Sequence, residues 1–128
     1  MRYRTSLEIG IGQTQATPAW TVLNLEHGYI TEVEVMFPAG HAGLTYVQIY
    51  HQSRLIFPLT PGQAFRGDDS TITMGSRFPI LEVPYAVYVV GWAPDSTLVH
   101  TVFVDITMEA PQPVSVGGVE YIPLPEGM

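Results

Sequence analysis

Tyr29-Ile30-Thr31-Glu32-Val33-Glu34-Val35-Met36-Phe37 alternates residue by residue, with Thr31, Val33, Val35 and Phe37 on one side and Ile30, Glu32, Glu34 and Met36 on the other. A period of two is the signature of a strand, because successive side chains point to opposite faces. The two glutamates mark the solvent face. Toward the amino terminus, Trp20-Thr21-Val22-Leu23-Asn24-Leu25 reads as another strand. Residues 3 to 9 form a third, with Tyr3, Thr5, Leu7 and Ile9 opposite Arg4, Ser6 and Glu8. The glycines and polar residues of 10–18 form the loop between them.

Toward the carboxyl terminus, residues 44–50 place Val47 and Ile49 on either side of an outward Gln48. His51-Gln52-Ser53 then turns the chain into Arg54-Leu55-Ile56-Phe57, and Pro58, which cannot donate to a ladder, ends that strand. Thr71-Ile72-Thr73-Met74 is a short alternating segment, followed by an irregular passage through Pro79 and Pro84. Tyr85 to Trp92 is rich in β-branched and aromatic residues and reads as a central strand. Ala93-Pro94-Asp95-Ser96-Thr97 is expected to turn it into a hairpin with residues 98–108, where Val102, Val104, Ile106 and Met108 alternate with Thr101, Phe103, Asp105 and Thr107. Seven or eight strands without a helix need two packed sheets or a closed barrel to cover their apolar faces. The expected fold is all-β: an antiparallel β-sandwich over 1–109, jelly-roll-like, with an extended Pro-rich C-terminal arm over 110–128. In that arm Pro111, Pro113, Pro123 and Pro125 are interleaved with Val114, Val116, Val119, Tyr121, Ile122 and Leu124.

Composition narrows the function. The chain has 128 residues, 46% apolar and 13% charged, with 12 glycines and 11 prolines: one folded domain with many turns and little charged surface. Twelve acidic residues face five arginines and no lysine, a net charge of -7 that argues against a nucleic-acid groove. With no cysteine, thiol nucleophiles, disulfides, thiolate zinc and iron–sulfur ligation are excluded. No apolar run is long enough to span a bilayer, and Met1-Arg2-Tyr3-Arg4-Thr5 leads into alternation rather than into a leader's apolar core, so a soluble chain is expected. Oligomer interfaces deplete charge and keep aromatics, so the poorly charged surface fits a homo-oligomer.

Catalytic patterns are weak. His27, His41, His51 and His100 lack metal-ligand spacing, although folded strands could still converge His41 or His51 with His100 and Asp105. Asp68-Asp69-Ser70 reads as a turn rather than a calcium loop. Glu32 and Glu34 read as a solvated face rather than a glycosidase pair, which could otherwise be sought with Asp105 or Glu109. No serine lies in a nucleophile elbow, and Gly10 and Gly12 do not complete a dinucleotide fingerprint. No catalytic residue, cofactor or metal is assigned.

Trp20, Tyr46, Tyr50, Tyr85, Tyr88 and Trp92 could line a carbohydrate or peptide platform, and core packing accounts for most of them equally well. Tyr46 and Tyr50 share the face opposite Val47 and Ile49; if those aliphatics face the core, the tyrosines are outward and become interface candidates. The arm contributes Val114, Tyr121, Ile122 and Leu124 as anchors, placed either in a partner's grooves or back on their own domain. Arg54, Arg66 and Arg77 are available to acidic partners.

Phe37-Pro-Ala-Gly-His-Ala-Gly-Leu44, Ile56-Phe57-Pro58-Leu59, Phe65-Arg66-Gly67-Asp68-Asp69 and Trp92-Ala93-Pro94-Asp95 resemble motifs of a family of small all-β structural proteins of tailed phages. The resemblance covers about half of the chain and implies a non-enzymatic virion component, a head-decoration or capsid-stabilising protein in symmetric copies, with the major capsid protein as a partner. The main rival is a carbohydrate-binding or attachment module. A third reading is a small cupin-like metal enzyme, with His and carboxylate ligands inside a barrel.

Overall fold

The computed structural model describes residues 1–40, 43–58, 60, 62–111, 114–116 and 119–121. Its elements are β1 (Arg2–Ile9), β2 (Ala19–Asn24), β3 (Gly28–Phe37), β4 (Tyr46–His51), β5 (Arg54–Phe57), β6 (Phe65–Arg66), β7 (Ser70–Ile80), β8 (Ala86–Trp92), β9 (His100–Glu109), β10 (Val114–Val116) and β11 (Val119–Tyr121). One sheet has the order β1-β9-β3-β7, and the other β2-β8-β4-β5 with β6 also paired to β4. No helix occurs among the described residues, so none is present to cross a membrane.

The two antiparallel sheets pack as a sandwich, and alternation explains why. Val33, Val35, Val104 and Ile106 of the first sheet meet Val47, Ile49, Val87 and Val89 of the second, all fully buried in one cluster. Removing such side chains from water stabilises the fold by roughly 1.5–3 kcal/mol each. Gly91 of β8 faces β1 across the core. A Cβ there would lie 2.7 Å from Ile9 Cδ1 and 3.0 Å from Leu7 Cδ2, so the absence of a side chain allows β8 to approach β1.

Several expectations are corrected. The anticipated hairpin of β8 with β9 does not form: β8 pairs with β2 and β4, while β9 pairs with β1 and β3. Residues 93–99 instead carry the chain across the core, so the two apolar faces oppose each other rather than lying side by side. The turn is closed by Ser96, whose Oγ donates to Leu98 O at 2.7 Å and accepts from Leu98 N at 3.2 Å. In β3, Ile30 is buried with Val33 rather than lying on the glutamate side, because the register shifts between Ile30 and Glu32. Against β9, Thr31 is the extra residue of this irregularity, and a bulge resets which side chains face inward.

The segment expected to end near Met74 continues as β7 to Ile80. It is an edge strand, and an edge tolerates Pro79, whose missing N–H would cost a ladder bond in the middle of a sheet. Gln48 faces outward but not into solvent; it is buried, and its Nε2 donates to Gln63 O at 2.7 Å. Within residues 110–128, expected to resist sheet pairing, β10 and β11 pair antiparallel with Val114 opposite Tyr121. The β4–β5 hairpin forms as anticipated, His51 opposite Arg54, with Gln52 at φ 57° in its turn.

Candidate functional site

The outward side of β2, β8 and β4 is built by strand alternation from an unusual set of side chains. Register places Trp20 opposite Val90 and Val22 opposite Tyr88 across β2–β8. Across β8–β4 it places Trp92 beside Tyr46, Val90 beside Gln48 and Tyr88 beside Tyr50. Val47 and Ile49 are fully buried beneath, which settles the conditional reading of β4: Tyr46 and Tyr50 are on the outer face. A sheet face so poor in charge is not the solvated side of an ordinary sandwich.

The two tyrosines serve different concavities. Tyr50 lies in an open, apolar depression of about 470 Å³ with Trp20, Gln52, Pro84, Tyr88 and Val90. Trp20 is 62% exposed and Tyr88 39%, with their rings 6.0 Å apart at 52°. Tyr50 Oη donates to Gln48 Oε1 at 2.9 Å, which fixes the ring against the groove wall. Tyr46 belongs to a more polar hollow of about 420 Å³ with Gln15, Gln63, Arg66 and Trp92 among its lining. Its ring stacks on Trp92 at 5.8 Å and 14°, and the Arg66 guanidinium sits 5.2 Å above it. Arg66 Nε also donates to Gly43 O.

Sequence reasoning singled out Tyr46 and Tyr50 but left Trp20 and Tyr88 divided between platform and core. Val22, 37% exposed, was not singled out. The alternation of β2 carried the missing signal: Leu23 is buried, so Trp20, Val22 and Asn24 must face out. Val114 and Tyr121 take backbone positions in β10 and β11, while Ile122 and Leu124 lie outside the described residues.

On the opposite face of the sandwich, the first sheet carries a charged cluster. Arg4 and Asp105 are register partners, and the guanidinium grips the carboxylate through Nε–Oδ1 at 2.6 Å and Nη2–Oδ2 at 2.8 Å. Arg2 donates to Asp105 at 3.1 Å and to Glu34, which stands opposite Asp105 on β3. The Arg4 hydrogen bond holds the Asp105 carboxyl below its ordinary pKa; burial opposes this, and the charges of Arg4 and Arg2 reinforce it. A depressed folded-state pKa stabilises the fold above the unfolded-state value and loses that contribution as pH falls through the folded-state value. Asp105→Asn is therefore expected to lower stability by about 1 kcal/mol near neutrality and to converge with the parent chain in acid. Urea unfolding midpoints of both chains across a pH series check this.

The metal constellation weighed from sequence does not assemble. His51, at the end of β4, packs 5.7 Å from Phe78 of β7, which pairs with Ile30 near the start of β3. His100 opens β9 beside Ile9 at the other end of the sandwich, and Asp105 belongs to the arginine cluster on the outer face. His41 is outside the described residues, and among the described ones no three His, Asp or Glu residues group to hold a metal. Asp68 was expected to accept an amide of its own turn; its Oδ1 instead accepts from Gly40 N at 3.0 Å, tying this turn to the loop that follows β3. Arg77 lies over the Tyr29 ring at 4.2 Å. Among known proteins, no family model and no curated sequence matches the chain.

Proposed function

We propose that this chain is a non-enzymatic assembly module that associates with copies of itself through the outer face of β2, β8 and β4. The observation that carries the reading is the exposed Trp20–Tyr88 pair set in an apolar groove, on a sheet face whose alternation should have been polar. Aromatic anchors in such a setting are the side chains from which protein interfaces draw most of their energy. The strand order β1-β9-β3-β7 facing β2-β8-β4-β5 supports naming the sandwich a jelly roll, an architecture common in shell-forming proteins. Together with the resemblance of its turn motifs to tailed-phage structural proteins, this supports a role on a virion, decorating or stabilising the capsid.

Light-scattering mass over a concentration series of the full chain tests the reading. A trimer or larger ring that dissociates on dilution is expected; a monomer at every concentration overturns it. A second reading, a glycan-binding or attachment module, is favoured by the hollow at Tyr46, where an aromatic stack meets the amides of Gln15 and Gln63 and the Arg66 guanidinium. A monomer that binds on a glycan array would replace the first reading with this one.

A further inference from the structure

We propose that the groove formed by Trp20, Tyr50, Tyr88 and Pro84 receives the segment Tyr121-Ile122-Pro123-Leu124-Pro125 of a neighbouring copy of this chain. The inference rests on the assembly reading above and names the occupant of its contact face.

The groove has the form that proline-rich segments dock into. Tyr88 and Val90 of β8 make its floor, with Trp20 of β2 on one side and Tyr50 of β4 on the other. With strands about 4.8 Å apart, its walls stand about 10 Å from each other. Aromatic-walled grooves of this kind bind polyproline II segments because the rings stack on pyrrolidine faces and the segment loses little entropy. By sequence, Pro123 and Pro125 restrict their own backbones, and each disfavours helix in the residue before it, Ile122 and Leu124. Five residues at the polyproline rise span about 12 Å, within reach of a depression of about 470 Å³. The groove's lining carries no charged side chain, and neither does the segment.

The path of the chain argues for a neighbour rather than the same copy. Strand β9 ends at Glu109 beside Gly28, in the sheet behind the core, whereas the groove opens on the outer side of the other sheet. That end of the sandwich is shared with the groove's rim: Leu25 N donates to Tyr85 O at 2.7 Å, next to Pro84. Strand β9 thus ends close to the rim but in the sheet behind the core. The described part of the tail, β10 and β11, forms a two-stranded sheet of its own and joins neither sheet of its own sandwich, which leaves the segment that follows for the groove of an adjacent copy. Such a contact is heterologous, one copy's tail in the next copy's groove, and it closes into a ring where the rotation permits.

The test uses full-length chains. Trp20→Ala disables the groove, and the double variant Ile122→Ser, Leu124→Ser disables the tail; far-ultraviolet circular dichroism and unchanged unfolding midpoints confirm that both fold. Each alone is expected to self-associate about thirtyfold more weakly or worse than the parent chain, the loss typical of an interface anchor. Mixing the two restores one intact contact, and a mixed dimer is expected in sedimentation. A synthetic peptide of residues 119–128 is expected to blue-shift the emission of the tail variant through Trp20, since Trp92 is already buried. A parent chain that assembles while the tail variant assembles equally well overturns the inference and leaves the assembly reading standing. A parent chain that stays monomeric overturns both. A monomer in which the tail variant alone exposes Trp20 shows docking within one copy and overturns the neighbour as occupant.

Discussion

Gly28→Ala is expected to destabilise the fold by about 3 kcal/mol or more. Gly28 has φ +154°, a conformation that L side chains rarely adopt, and an ideal Cβ there would overlap the carbonyl oxygen of Glu109. The obstacle is backbone, not the tip of a flexible side chain, so β3 and β9 must separate at the point where they end their pairing. Ala110 Cα lies 3.4 Å from the same position, so the chain's departure toward residues 110–128 is displaced as well. Gly40→Ala separates strain from overlap: its φ is +104°, with nothing within 4 Å of an added Cβ. It is expected to cost about 1 kcal/mol. Urea unfolding of the two variants measures both, and equal losses would show that the contact with Glu109 does not govern the position.

Phe37→Ala is expected to cost about 3–5 kcal/mol, the range for truncating a fully buried phenylalanine. Phe37 ends β3 with no exposed surface and is among the largest fully buried side chains. It packs beneath the turn at Gly67, where an added Cβ would lie 3.1 Å from Phe37 Cδ2. The ring therefore supports both the end of β3 and the entry into β7. For a domain whose total stability is about 5–15 kcal/mol, this loss lowers the thermal midpoint by about 10–20 °C. Calorimetry checks it, and a shift of only a few degrees would mean that the surrounding loops collapse into the space.

The readable parts of the fold were those in which one side of a strand is apolar and the other polar. Glu32, Glu34 and Gln48 stood out against valines and isoleucines, and the core positions Val33, Val35, Val47 and Ile49 follow from them. Pairing partners were not legible in the same way. The turn residues at 93–97 are as compatible with a crossing between sheets as with a hairpin, because both need a reversal and only tertiary packing chooses. Ile30 was misplaced because a bulge leaves no mark in a period-two pattern. The candidate groove was half legible: Tyr50 is outward by alternation, but its neighbours Trp20 and Tyr88 come from β2 and β8, whose adjacency no local pattern encodes. Gln48 looked solvent-facing because the segment carrying Gln63, which covers it, is remote in sequence.

The pairing of the first strand with the last strand of the sandwich sets the order in which the molecule can be finished. β1 has a single ladder neighbour, β9, with Arg2 opposite Thr107 and Ile9 opposite His100, and the Met1 amino group donates to Met108 O at 2.9 Å. The residues of β1 thus wait for a partner made about 100 residues later. Until then Leu7 and Ile9 have no completed sheet to belong to, and the growing chain carries an open edge on β3 where β9 will lie. Closure comes as one late, non-local step, so a contact between copies that needs the closed sandwich waits until β9 has been made, even though the strands of the second sheet are complete earlier.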